Sequence, residues 1–368
     1  MTIQWCRSCL MPNTRPRIVF DETGECNACI FAKEQQDIDW GARKAEFLEI
    51  IKQYRADGPY DCVVPFSGGK DSAAIAWRLK HEYGLRPLLA CYGQLMWTDV
   101  GRANFERVRK DGFDIVKWEV DGRVSRKLAR RFFIERGCPK IHYNAGVNAV
   151  PLRTAIAFNI PLVFFAEMGE ATYGGLVLDK ESLRTRNLTE VLEHQIGDDP
   201  RNWAIDGISE NELVPYIYPE ADDIERVGVQ AFYFSYFHKW DIYENYQLMR
   251  EHLGFVGVQP RSDGSFEGYD SVDDKVDGLD FFMMGIKFGF SRCTRIASRL
   301  IQSGQITREE GLKLVRQYDG EFPEMYIGDV LEYLSMTRGE LEEIIELHRN
   351  PELWEKVGEK WNLKYPPQ

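Results

Sequence analysis

Six consecutive residues, Ser67-Gly68-Gly69-Lys70-Asp71-Ser72, join two glycines, two hydroxyls, a lysine and a carboxylate. Glycine lets a ligand come close to the main chain, because no side chain intervenes. A helix starting here would present unpaired N–H groups and a partial positive charge. With Lys70 and the hydroxyls of Ser67 and Ser72, that is an anion cradle best suited to phosphate. Asp71 is odd in a simple anion site. It makes sense as a helix-cap acceptor, or as a ligand to Mg²⁺ riding on the phosphates. The spacing is not that of a Walker A loop, nor of a dinucleotide fingerprint. A ligand-free serine- and glycine-rich turn is the plain alternative.

A second set is Cys6, Cys9, Cys26 and Cys29, spaced C-x2-C-x16-C-x2-C. Two such hooks offer four thiolates to one ion, and zinc in a closed, structural site suits them. Gly24 in "DETGEC" allows a turn before the second hook. An iron–sulfur cluster, or four unrelated cysteines, are the rivals. Cys62 and Cys91 lie in strand-like runs and read as core.

The elements that must position the turn alternate. "DCVVPF", "PLLACY", "DIVKWEV" and "PLVFFAE" read as strands, the last as the final one. "DSAAIAWRLKHEY", "VGRANFERVRKDG", "GRVSRKLARRFFIERG" and "NAVPLRTAIAFN" read as helices between them. Such alternation predicts a parallel sheet covered by helices, with ligands at the carboxyl ends of the strands. Residues 176–230 are polar and hard to assign. The stretch 232–246 is aromatic and reads as core, though "HKWD" could line a substrate wall. Residues 261–280 carry seven carboxylates and two basic residues and read as a surface loop, with Asp273 and Asp274 as possible Mg²⁺ ligands. From Thr294 the chain reads as helical, and Thr307 with Glu310 and Thr337 with Glu340 fit capping boxes.

The 368 residues carry a net charge of −12, which disfavours general affinity for nucleic acid or anionic membrane. No stretch approaches twenty apolar residues, and "MTIQWCRSCLMPNTRPR" lacks a signal-peptide core, so a cytoplasmic protein with reduced thiols is expected.

SGGKDS after a strand resembles the PP-loop of the ATP pyrophosphatase superfamily, which includes GMP, asparagine and NAD synthetases and tRNA-thiolating enzymes. The resemblance implies that ATP is cut between its α and β phosphates, and that a substrate oxygen receives AMP. "FFAEMGEATYGG", "YDSVDDKVDGLDFFMMGIKFGFSRCT" and "SGQITREEGLKLVRQYDGEFP" follow in order. With the cysteine hooks, they make nearly the whole chain similar to the N-acetyl sugar amidotransferase family of bacterial surface-polysaccharide (LPS O-antigen) synthesis. That resemblance implies ATP- and Mg²⁺-dependent conversion of an acetamido group to an acetamidino group on a nucleotide-linked N-acetyl sugar. It implies a zinc ribbon over 1–40, a PP-loop α/β domain of the adenine nucleotide alpha hydrolase-like kind over 41–175, and a mixed, mainly helical substrate and interaction region over 176–368.

On that reading Ser67, Gly68, Gly69, Lys70, Asp71 and Ser72 hold ATP and pyrophosphate. Tyr92 and Asn104 contact the nucleotide, and Lys287 and Arg292 complete the cradle or form surface ion pairs. Glu167 and Glu170 orient the acetamido group, accept a proton from ammonia, or cap the next helix. Tyr173, Gly174 and Gly175 shape the sugar pocket, or Gly174 and Gly175 simply make a turn. His142 is either a substrate ligand or a hydrogen-bonded structural histidine. Residues 123–136, with six basic residues and one acid, read as a solvated helix face or a grip on an acidic sugar nucleotide or partner. An N-terminal-nucleophile glutaminase needs Cys where Thr2 stands, and Cys138 in "ERGCPKIH" lacks the elbow of a triad glutaminase. Ammonia is therefore expected free, or from a separate subunit resembling the glutaminase of imidazole-glycerol-phosphate synthase, with a cyclase-like barrel as a further companion. A tRNA-thiolating enzyme is the alternative. The acidic charge and the lack of a catalytic cysteine pair in the sheet domain speak against it. A non-catalytic assembly subunit, its loop merely holding nucleotide, is the third reading.

Overall fold

The computed structural model describes residues 3–55, 58–177, 179–186, 191–204 and 207–368. Five strands form one parallel sheet in the order β3-β2-β1-β4-β5. They are β1 (Cys62–Pro65), β2 (Pro87–Tyr92), β3 (Asp114–Trp118), β4 (Leu162–Phe165) and β5 (Gln230–Tyr233). β1 pairs with β2 through Val64↔Leu89 and with β4 through Val63↔Val163. The two faces of these strands feed two different cores. Cys62, Val64, Leu89, Cys91, Leu162 and Phe164 pack on one side. Val63, Leu88, Ala90, Val163 and Phe165 pack on the other. A parallel sheet buried on both faces needs such unbroken apolar runs.

α1 (Asn27–Glu34) and α2 (Trp40–Tyr54) precede the sheet. α3 (Lys70–His81), α4 (Asp99–Lys110), α5 (Gly122–Arg136), α6 (Ile141–Ala157) and α7 (Gly169–Tyr173) follow its strands. α6 starts at Ile141, well before the expected "NAVPLRTAIAFN". β4 is not the final strand: β5, from beyond residue 175, pairs with it through Phe164↔Phe232. The following aromatic stretch is core, with Phe232, Phe234, Phe237 and Trp240 buried. His238 stacks on Phe234 in that core, and Asp241 caps the helix Ile242–Leu253.

Helices from Asp277 onward form the rest of the chain, closed by an antiparallel hairpin of Trp354–Val357 and Lys360–Leu363. Both expected capping boxes are present, at Thr307 with Glu310 and Thr337 with Glu340. Among the described residues no helix is long and apolar enough to cross a membrane. Residues 261–280 are not a surface loop. Glu267, Asp270, Asp273 and Asp274 are buried. Cations and backbone N–H groups inside the fold hold Glu267, Asp270 and Asp274 there, and the Gln94 amide holds Asp273.

Candidate functional site

The order of the strands reverses at β1: β2 and β3 lie to one side, β4 and β5 to the other. In open parallel sheets the crevice beyond the strand ends at such a reversal is where ligands bind. Ser67–Gly69 follow β1 there, and Glu167 follows β4. Gly68 has φ +94°, and a Cβ on it would sit 3.0 Å from the Trp97 ring, so this turn is closed to other residues. α3 then begins at Lys70, with no side chain capping its N-terminus. The hydroxyls organise the turn: Gly69 N–H donates to Ser67 Oγ at 3.2 Å, and Ser72 Oγ donates to the Gly69 carbonyl at 3.2 Å.

Two cavities meet at this turn, and Ser67 and Ser72 line both. One, of about 390 Å³, occupies the β1/β4 crevice and is lined also by Tyr92, Asn148, Glu167 and Arg186. Burial, then the charge of Asp71, raises the Glu167 carboxyl above its ordinary range. The Tyr173 hydroxyl donates to Glu167 at 3.4 Å. Arg186 lies over the Phe165 ring and hydrogen-bonds Asn148 and the Tyr233 hydroxyl.

The second cavity, of about 230 Å³, lies on the α3 side and is lined by Lys70, Asp71, Gln94, Lys140, Asp270 and Asp273, among others. Lys70 Nζ donates to Asp270 at 2.7 Å and to Asp71 at 2.9 Å. Burial opposes its charge, but Asp270 and Asp71 outweigh burial and hold the ammonium well above its usual range. Asp71 also accepts from Asn245 Nδ2 at 2.9 Å. Arg295 pairs with the Asp270 carboxylate, while Arg292 donates to the backbone carbonyls of Asp270 and Ser271. Lys140 pairs with Asp277 and Asp274. Among the described residues, Asp273 has no such cation in contact. Burial, then the Asp277 charge, pushes its carboxyl up to about 7.

Tyr92 and Asn104 border these cavities, but the Asn104 amide is engaged by Val256, donating to its carbonyl and accepting from its N–H. Five expected residues lie elsewhere or reach the turn only indirectly. Lys287 Nζ donates to the Arg136 carbonyl at the end of α5, so it does not complete the cradle. Arg292 supports the cradle only through residues 270–271. His142 is fully buried on Ser125 Oγ at 3.0 Å, and burial lowers its pKa to about 3. It makes this bond within the fold and touches no residue of the turn. Glu170 is clamped by Arg17 through Nε at 3.1 Å and Nη2 at 2.9 Å, and it accepts from the Leu176 N–H. That bidentate pair explains its burial without a catalytic role. Gly174 ends α7 at φ +82°, against Asn27 and Ile18 of the N-terminal segment rather than a sugar pocket. Tyr173 stays at the site, through Glu167 and beneath Arg295 and Arg299.

Asp274 is engaged by the N–H groups of Leu95, Met96 and Val276 as well as by Lys140, which leaves it no room as a Mg²⁺ ligand. Gln94, Lys140, Arg186, Asp270 and Arg295 were not singled out in the sequence. Gln94 had a signal, standing two residues past β2 at the end where ligands gather. Nothing distinguishes Asp270 from a solvated acid except its fold.

The four N-terminal cysteines converge, all their sulfurs lying within 4.8 Å of one another and all buried. Cys6–Cys29 and Cys9–Cys26 are 3.8 and 3.7 Å apart. Tetrahedral zinc with Zn–S bonds of about 2.3 Å places sulfurs about 3.8 Å apart. A multi-iron cluster needs a wider set. N–H groups of Cys9 and Cys26 point at Cys6 Sγ, and Gln302 at Cys29 Sγ. Hydrogen bonding among the four sulfurs lowers the Cys6 and Cys9 thiols and raises those of Cys26 and Cys29, so the four share their protons. The donor set fits a structural zinc ion.

Residues 263–365 match the family model described as "LPS biosynthesis protein WbpG-like, C-terminal domain". This part of the chain is thus similar to proteins of lipopolysaccharide biosynthesis, which points to a biosynthetic enzyme. No curated protein matches the chain.

Proposed function

We propose that the chain is an ATP-dependent, AMP-forming amidotransferase that converts the acetamido group of a nucleotide-linked N-acetyl sugar to an acetamidino group, for lipopolysaccharide or a related surface glycan. The observation that carries this reading is the SGGKDS turn at the carboxyl end of β1, opening on the crevice beside β4. The match of residues 263–365 to a lipopolysaccharide family supports the pathway.

An amide carbonyl is a poor electrophile and its oxygen a poor leaving group. Attack of that oxygen on the α-phosphorus of ATP forms an O–P bond and expels pyrophosphate. Ammonia then adds to the activated imidate carbon, AMP leaves with the oxygen, and a cationic amidine remains. The turn's N–H groups and Lys70 would neutralise the departing pyrophosphate. Mg²⁺, held near Asp71, would supply further charge stabilisation there. Glu167, its carboxyl raised in the β1/β4 cavity, is placed to accept the proton that ammonia loses on addition. Ammonia would come from a separate glutaminase subunit, with or without a cyclase-like companion.

The test is mass spectrometry of a panel of sugar nucleotides incubated with the protein, Mg·ATP and ammonium. The expected product is lighter by about one mass unit, oxygen replaced by NH, with AMP formed in equal amount. Asp71→Ala is expected to abolish AMP formation with zinc retained. AMP appearing only when tRNA is added would replace this reading by thiolation. No AMP with any acceptor would favour an assembly subunit.

A further inference from the structure

The cavity on the α3 side poses a problem of charge. An anion bound at the N-terminus of α3 would meet Asp273, a buried carboxylate. Gly69 brings that carboxylate close to the main chain, for a Cβ there would lie 3.5 Å from Asp273 Oδ2. The neighbouring acids are each matched. Asp71 accepts from Lys70 and Asn245, Asp270 from Lys70 and Arg295, and Asp277 from Lys140. Asp273 has, among the described residues, one side-chain donor, the neutral Gln94 Nε2 at 2.8 Å.

Gln94 carries a second anomaly. Its Nε2 also donates to the Ser67 carbonyl at 2.8 Å, and these two acceptors fix which way the amide faces. Oε1 is then left buried, with no hydrogen-bond partner among the described residues, in a side chain that lines this cavity and belongs to a residue only 8% exposed. Buried acceptors without protein partners are rare and call for a bound water or ion.

We propose that Asp273 and Gln94 Oε1 complete a divalent-cation site shared with the Ser67–Ser72 turn, so that the segment before the helix Asp277–Phe288 holds the metal that rides on the nucleotide's phosphates. This rests on the reading of the turn as a nucleotide site. Mg²⁺ takes one or two carboxylates, keeps several waters and fills its shell with substrate phosphates. One carboxylate with no cation in contact among the described residues, one orphan amide oxygen and an adjacent anion cradle match that demand. A cation here turns Asp273 from a repulsion into a bridge. It also gives the lipopolysaccharide-type segment a direct hand in the chemistry.

The experiment is Mn²⁺ titration of the full-length protein by electron paramagnetic resonance, with and without α,β-methylene-ATP. With the analogue bound, Asp273→Asn is expected to weaken Mn²⁺ at least tenfold, and Asp277→Asn much less. Analogue binding with Mn²⁺ affinity unchanged in Asp273→Asn would overturn this site and leave the nucleotide reading intact. No binding of the analogue by the unaltered protein would overturn both. Should Asp273→Asn not fold, as judged by zinc content and thermal unfolding, Gln94→Glu gives a second reading. A carboxylate in place of the orphan oxygen is expected to tighten Mn²⁺, and unchanged affinity would overturn the proposal.

Discussion

Glu167 and Glu170 are three residues apart at the end of β4, yet their surroundings assign them different work. Glu167 lines the crevice cavity with a raised carboxyl. Glu170 holds Arg17 and the Leu176 N–H. Glu167→Gln is therefore expected to cut product formation at least a hundredfold with little change in unfolding temperature. Glu170→Gln is expected to cost about 1.5–3 kcal/mol of stability, the range for hydrogen bonds to a charged group, with turnover per folded molecule retained. The reverse pattern, from steady-state kinetics and thermal unfolding, would exchange the two roles. His142 gives a test in pH. Burial lowers its pKa from 6.5 to about 3. Between those values the unfolded chain binds a proton that the native state does not. This group's contribution is whole above pH 6.5 and is lost as pH falls towards 3, at about 1.4 kcal/mol per unit. At pH 5 the loss is about 2 kcal/mol. Denaturant unfolding at pH 7.5 and pH 5 should show a smaller drop in His142→Asn than in the unaltered protein. Equal drops would mean that His142 already carries a proton when folded.

At the scale of elements, the sheet was legible from β1 to β4 because β1, β2 and β4 are short apolar runs and the edge strand β3 mixes apolar with charged residues, each ending in a turn. β5 was not, because "QAFY" is set apart from the other strands by a long polar stretch and has no neighbour in sequence to pair with. The start of α6 was hidden for a different reason. Ile141, His142, Tyr143 and Ala145 are all buried, so the helix has no polar stripe to set a period. Residues 261–280 misled because charge count alone suggests solvent. Their counter-charges, Lys70, Lys140, Arg292 and Arg295, come from other parts of the chain. Packing of α4 against this segment can be tested at Gly101. A Cβ there would lie 2.7 Å from Asp273 Cα and 2.9 Å from its carbonyl oxygen, atoms of main chain that cannot swing aside. In an open helix Gly→Ala gains about 1 kcal/mol. Gly101→Ala is instead expected to lose about 1–3 kcal/mol, as overpacking does, and to lower AMP formation by displacing Asp273. Gly339→Ala, where a Cβ meets nothing within 4 Å, serves as the control. Stabilisation by both changes in a thermal melt would show that the segment yields.

At the scale of the molecule, the cysteine unit is a clamp between the two sides of the site. On one side Arg15 donates to the Gly174 carbonyl at 2.8 Å and Asn27 to the Gly175 carbonyl at 2.7 Å, which fixes the exit of α7 just beyond Glu167. On the other, Leu10 N–H donates to Ser298 Oγ, Arg308 to the Cys9 carbonyl and Gln302 to Cys29 Sγ. Those partners belong to the helices Arg292–Gln302 and Arg308–Tyr318, the first of which supplies Arg295 to Asp270. A metal on the four sulfurs would thus help order both the carboxylate of the crevice and the arginine behind the lysine of the turn, without touching either cavity. Structural zinc binds with folding, so its loss should be felt wherever the clamp reaches. Cys9→Ser, or exhaustive chelation, is expected to lower zinc content, unfolding temperature and AMP formation together. Asp71→Ala should lower AMP formation alone. Zinc content by mass spectrometry, melts and AMP release on the same samples decide between them. If AMP release survives in metal-free protein that melts early, the clamp is architecture only. If activity falls while the melt is unchanged, the ion takes part in the chemistry and the closed four-sulfur site must open.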